Sequence, residues 1–193
     1  MNLNAFILRL ESWDIKLFLF LNGKHDPFFD LLMGIMSDTY SWVPLYLGCL
    51  YWVYKKFNFK TVVISLLAMA LVILFCDRIT VIAFKEVFKR YRPCHNLAIS
   101  HFVHTLNGYC GGLYGFVSSH AANSFGLALF FGCIFRKDSK WFYYFLLLWA
   151  SLVSYSRIYL GVHYPADVVG GAFWGIVIGW IVFTLFNRVL KNT

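Results

Sequence analysis

Apolar stretches approaching the length of a bilayer span recur along this chain, and charge is confined to short clusters between them. A helix needs about 20 predominantly apolar residues to cross the hydrocarbon core, and at these lengths only helices satisfy their backbone in lipid. The pattern therefore predicts an all-α integral membrane helical bundle. Composition agrees: 60% of the 193 residues are hydrophobic and 13% charged, against about 45–50% and about 25% in a soluble domain. Five transmembrane helices are expected, at about Tyr40 to Tyr54, Thr61 to Cys76, Ala121 to Phe135, Trp141 to Tyr155 and Val168 to Phe186, with a sixth left open. Several are short, so polar ends must complete them. The second is expected to continue as helix toward Tyr91. Residues 1–193 read as one membrane-embedded domain, with 1–36 an interfacial N-terminal segment and 37–190 the bundle and its loops. The opening MNLNAFILRLESWDIKLFLFLNG lacks a basic start and a small-residue cleavage site, and Glu11, Asp14 and Lys16 interrupt it. It is read as amphipathic and lying in the interface; a poorly hydrophobic span is the alternative.

The net charge of +8 does not indicate nucleic acid, because the basic residues are scattered through short loops. Anionic lipid is the natural partner. Five spans place Lys55, Lys56, Lys60, Arg136, Lys137, Lys140, Arg188 and Lys191 on one side with a single acid, Asp138. Excess Lys and Arg marks the cytoplasmic face, so the other polar clusters should face outward. Trp42, Trp52, Tyr54, Trp141, Tyr143 and Tyr144 sit at span ends, where amphipathic rings suit the headgroups. Cys49, Cys76 and Cys133 fall in apolar stretches. Cys94 and Cys110 share a polar loop and can pair if it faces an oxidising compartment. Gly171, Gly175 and Gly179 share one face of the last span, which permits close helix contact.

Three clusters carry chemistry. Lys85 and Arg92 are seven apart, nearly two helical turns, so on a helix both would face one way, and Pro93 would then turn the chain out. Two such cations can grip one anion. Ser118-Ser119-His120 opens the third span: serine caps, the first-turn N–H groups attract an anion, and His120 can protonate a leaving oxygen. Ser156-Arg157, His163 and Asp167 lie around the last inter-span turn. With Asp167 four residues beyond, the carboxylate can accept one imidazole proton and leave the other nitrogen free to attack. Taken singly, each cluster also reads as a basic helix end, a cap or a structural pair. Together they supply a nucleophile, an orienter, an acid and three cations on one expected face.

At these residues the chain resembles the type 2 phosphatidic acid phosphatase family, membrane relatives of the vanadium haloperoxidases. KEVFKRYRP matches the family's first motif and SRIYLGVHYPAD its third; the second reads Val117-Ser118-Ser119-His120, where the family has Pro-Ser-Gly-His. The resemblance implies a two-step phosphohydrolase that uses no metal or other cofactor. His163 would form a phosphohistidine, Asp167 would orient it, and His120 would protonate the leaving group. Lys85, Arg92, Ser118, Ser119 and Arg157 would cradle the phosphate oxygens. Ser119 offers the same N–H as the family's glycine, though its side chain could narrow the pocket. A lipid phosphate at the outer face of a bacterial cytoplasmic membrane is the expected substrate, undecaprenyl diphosphate first. Phosphatidylglycerophosphate, phosphatidic acid and lipid A phosphate are the competitors. An anion channel or transporter would need charges along a continuous path within the spans. A non-hydrolysing receptor would need His163 or Asp167 replaced, and a haloperoxidase does not suit a membrane chain. His95, His101 and His104 are read as a solvated or substrate-gating loop, since no closed ligand set accompanies them. Oligomeric state is not legible.

Overall fold

The computed structural model of the protein describes residues 3–192. Eight α-helices carry the described chain: α1 (Leu3–Asn22), α2 (Pro27–Ser37), α3 (Val43–Lys56), α4 (Phe59–Ile79), α5 (Glu86–Phe88), α6 (Ser119–Phe135), α7 (Lys140–Tyr159) and α8 (Pro165–Lys191). No strand forms among the described residues; one isolated bridge joins Tyr91 to Tyr114. Several helices start where the sequence supplies a cap. Asn58 accepts the Thr61 N–H at 2.9 Å, Ser139 that of Phe142 at 3.1 Å and Ser118 that of Ala121 at 3.4 Å.

By length and composition, two helices suffice to cross a bilayer: the continuous stretch Phe59–Phe88 and α8. The other expected spans fall short. With 14 and 17 residues, α3 and α6 extend about 21 and 25 Å, less than a hydrocarbon core of about 30 Å. Trp, Tyr and Ser dilute the 20-residue α7. The outward faces of α4 and α8 present Leu67, Leu74, Phe173 and Trp180, all exposed.

The single interfacial segment expected over residues 1–36 is instead two helices; its first two residues lie outside those described. Asp26 ends the intervening turn by accepting the Phe28 and Phe29 N–H groups at 2.9 and 3.1 Å, with Pro27 opening α2. The segment is not merely peripheral. Phe18 and Asn22 are buried. The Asn22 amide donates to the Tyr159 and His104 carbonyls at 2.7 and 3.0 Å and accepts the His104 N–H at 2.8 Å. Sequence gave no sign of this, because a lone polar residue at a helix end has many uses.

The core centres on α6, which packs between α4, α7 and α8. Leu127, Phe130, Phe131 and Phe135 interleave with Val72, Trp149, Val182 and Phe186. The glycine face of α8 is the closest contact: a Cβ at Gly175 would collide with the Ala122 carbonyl, and Gly171 and Gly179 meet the Ser118 and Gly126 carbonyls in the same way. At the far end, Lys56 pairs with Asp138 and donates to the Ile134 carbonyl at 3.4 Å, tying the end of α3 to the α6–α7 turn.

Candidate active site

Lys85 and Arg92 do not share a helix face. After α4 the chain passes through a π-helical turn, Thr80–Lys85, and the short α5, then stops at Lys89, whose φ of 46° is left-handed. Arg92 lies beyond the helix in extended backbone, with φ −65° and ψ 155°. Its position comes from the returning loop: its N–H donates to the Leu113 carbonyl at 3.1 Å, and Gly115 N–H to the Arg90 carbonyl at 2.8 Å. The Arg92 guanidinium then reaches the Tyr114 and Val162 carbonyls at 3.3 and 3.5 Å. The two cations converge because the chain folds back.

The α7–α8 turn is tied at its base. The N–H groups of Val162 and His163 both return to the Arg157 carbonyl at 3.2 Å. Gly161 permits this with φ of 73°. The Arg157 side chain, 5% exposed, donates to the Ser37 hydroxyl of α2.

His163 precedes α8, so its spacing to Asp167 runs across a helix start. Nδ1 of His163 stands 3.4 Å from Oδ2 of Asp167, an ion-pair separation rather than the expected hydrogen bond. The carboxylate, wholly buried, is already engaged: Oδ2 accepts the Tyr164 N–H at 3.0 Å and Oδ1 accepts from Arg90 at 2.8 Å. Gly115 caps the pair closely. A Cβ there would stand 2.9 Å from Oδ2 of Asp167 and 3.5 Å from Nδ1 of His163.

The second cluster joins through backbone and hydroxyl. Ser118 N–H donates to the Asp167 carbonyl at 2.9 Å, which registers the start of α6 against that of α8. Ser119 does more than offer an N–H: its hydroxyl accepts from Lys85 at 3.0 Å and bonds Thr80 at 2.8 Å. The side chain that departs from the family pattern thus positions a cation. His120 opens onto two adjoining cavities of about 340 and 260 Å³, the larger lined also by Arg157 and Tyr109.

Arg92 and Arg157 are buried and Lys85 is half-buried, and among the described residues none forms a salt bridge with a carboxylate. Buried cations without a counter-charge are costly, so this end of the bundle is built for an anion with several acceptor oxygens. Burial, and after it the charges of Arg92, Arg157 and Lys85, hold the His163 imidazole well below its ordinary pKa. It is therefore neutral near pH 7, as a nucleophilic nitrogen must be.

The structure thus gathers Lys85, Arg92, Ser118, Ser119, His120, Arg157, His163 and Asp167 at one end. Cys94 and Cys110, in the loop above, are joined in a disulfide with Cα atoms 5.9 Å apart. His95 lies beside this pair, but the bonded sulfurs leave no thiolate to ligate a metal. His104 is not solvated: it pairs with Asp30 at 2.8 Å and stacks on His25 at 3.8 Å.

Sequence reasoning missed Arg90, taken as part of a basic helix end, and Asp14, taken as an interruption of an amphipathic segment. Arg90 bonds both Asp167 and, at 2.7 Å, Asp14, which in turn accepts the Ala166 N–H at 2.9 Å. Seventy-six residues separate this pair, and nothing local announces it. Ser37 was missed for the same reason. Gly115, within the run GGLYG, carried only a loop signal.

The sequence model described as the PAP2 superfamily matches residues 61–191. A lipid A 4'-phosphatase of Bacteroides thetaiotaomicron is 41% identical over 93% of this chain and 80% of its own length. Another from Porphyromonas gingivalis is 36% identical over 94% and 75%. The crystal structure of Aquifex aeolicus LpxE superposes with a TM-score of 0.65 at 26% identity, covering 88% of this chain and 94% of that one. Motifs, fold and relatives converge on one assignment: this chain belongs to the PAP2 superfamily.

Proposed function

We propose that this protein is a membrane lipid phosphatase that cleaves a phosphomonoester through a phosphohistidine at His163. The observation that carries the reading is the buried His163–Asp167 pair, its imidazole under the charges of Arg92, Arg157 and Lys85, none of which forms a salt bridge among the described residues. Nε2 of His163 attacks phosphorus while the Nδ1 proton faces Asp167. The bond from phosphorus to the ester oxygen breaks, and His120 supplies the proton that leaves with the alcohol. Water then attacks the phosphohistidine, giving up a proton to His120 and releasing inorganic phosphate. Lys85, Arg92 and Arg157, with the N–H groups opening α6, hold the equatorial oxygens throughout. Phosphoryl transfer relies mainly on such placement and charge.

Lipid A phosphate is the best-supported substrate, ahead of the undecaprenyl diphosphate expected from sequence, because the relatives described above are lipid A 4'-phosphatases. We place the enzyme as a multi-pass protein of the bacterial cytoplasmic membrane with its site on the outer side. The basic far end and a disulfide in the site's own loop support this side, since disulfides persist in oxidising compartments. The test is phosphate release from lipid A by detergent-solubilised protein with chelator present. Wild-type release that survives chelator and disappears in His163→Ala supports the assignment; equal release by the variant rejects the nucleophile.

A further inference from the structure

One carboxylate in α4 takes no part in the mechanism above. Asp77 is the sole acid of that helix, within the longest apolar stretch of the chain. Ionisable groups at such positions are costly and usually functional. Its side chain accepts from the Asn123 amide at 3.0 Å; among the described residues it forms no salt bridge, and its charge acts on Lys85 from a distance. Asp77 and Asn123 line the cavity of about 260 Å³ that begins at His120 and continues inward between α2, α3, α4, α6 and α7. Aromatic rings form its far wall. Trp42 and Tyr46 meet Trp149 edge to face at 5.5 and 6.0 Å. Two buried polar atoms of this wall, Oδ1 of Asn123 and Nε1 of Trp149, have no hydrogen-bond partner among the described residues.

The two cavities meet at His120 and Ser37 and differ in chemistry. The outer one holds Arg157 and suits the phosphate. Both adjoin His120; with the phosphate in the outer one, the inner one is left for the remainder of the leaving group. We infer that the inner cavity is a saccharide subsite, in which Asp77 and Asn123 accept hydroxyl hydrogens of the sugar bearing the phosphate and Trp149 lies against its ring. Acceptors beside indole faces match the alternating O–H and C–H surface of a pyranose. The same carboxylate acts against a diphosphate. Cleaving a prenyl diphosphate requires a second, anionic phosphate on the leaving side, where Asp77 would repel it. Repulsion of the wrong partner is as effective a source of selectivity as attraction of the right one. The chain is thereby tuned to sugar-linked phosphomonoesters over prenyl diphosphates.

This inference rests on the phosphatase reading, and the experiment separates the two. kcat/KM for lipid A and for undecaprenyl diphosphate are measured on one preparation of wild type and one of Asp77→Asn. Each ratio is internal to a preparation, so partial misfolding cancels. Wild type should favour lipid A, and Asp77→Asn should shift the ratio toward the diphosphate by about 10–100-fold, one to two powers of ten in relative transition-state binding. If Asp77→Asn is inactive on both substrates, Trp149→Phe and Asn123→Leu carry the test, each lowering the ratio at least about threefold through loss of lipid A turnover. An unchanged ratio in an active Asp77→Asn, or in both substitutes if it is inactive, overturns the subsite and leaves the phosphatase standing. A wild-type protein that releases no phosphate from either lipid overturns the phosphatase reading and this inference with it.

Discussion

The two ends of this bundle use the same residue types in opposite ways. At the far end, Lys55, Arg136, Lys137 and Lys191 are solvent-exposed, and Lys56 meets Asp138 at the surface. At the other end, Arg92 and Arg157 are buried and Lys85 half-buried, and among the described residues none forms a salt bridge with a carboxylate. Water stabilises the first set individually, and such pairs contribute about 0–1 kcal/mol. The second set has lost much of that water. Sequence position does not distinguish a charge left in solvent from one drawn inside the bundle; the fold does.

The largest effect should come from the centre of the inner end. His163→Ala should lower kcat by at least about 10³-fold, since no other described group can replace the attacking nitrogen. Arg157→Met tests the cationic cradle through binding. Orthovanadate, a phosphate mimic, should raise the melting temperature of wild type and leave that of the variant nearly unmoved; equal shifts would mean that this guanidinium does not hold the anion. Asp14→Asn, acting through Arg90 and the Ala166 N–H that opens α8, should reduce kcat about tenfold with little change in KM, the usual size of a support-residue effect. A parallel rise in KM would instead indicate a role in substrate binding. The His163 proton can be followed through stability. Its folded pKa is depressed, so below about pH 6.5 the unfolded chain binds a proton that the folded chain does not. Melting temperature should therefore fall as pH drops below that value, and His163→Gln should flatten the slope. The smallest effect belongs to the far end, where Lys56→Ala should change stability by no more than about 1 kcal/mol.

Much of the site was legible because its parts are local. Ser118-Ser119-His120 is a cap and a first turn, and Ser156 to Asp167 runs from the last turn of α7 through a short link into the first turn of α8, so spacing alone brought those side chains close. Lys85 and Arg92 were expected on one helix face, and the fold does not place them so. A seven-residue spacing implies a shared face only while the helix continues, and the left-handed Lys89 ends it early. Arg90, Asp14 and Ser37 act through contacts between residues far apart in the chain, which no periodicity encodes. Asp77 escaped notice because the span expected from sequence ended at Cys76, one residue before it, whereas the helix continues past it. Helix limits for α6, α7 and α8 followed from apolar run length, whereas span number did not, because short helices shielded by neighbours need not traverse the bilayer alone.

The missing side chains along α8 have a mechanical consequence. Because Gly171, Gly175 and Gly179 let two backbones touch, α6 and α8 mesh like toothed racks rather than cushioned rods. A slip of one residue along that seam would translate one helix by about 1.5 Å. His120 rides on one rack, and His163 stands just ahead of the other. Their separation is therefore set by steric contact deep in the bundle, and a methyl group added at Gly175 would be felt at the mouth as a shift between the two rings.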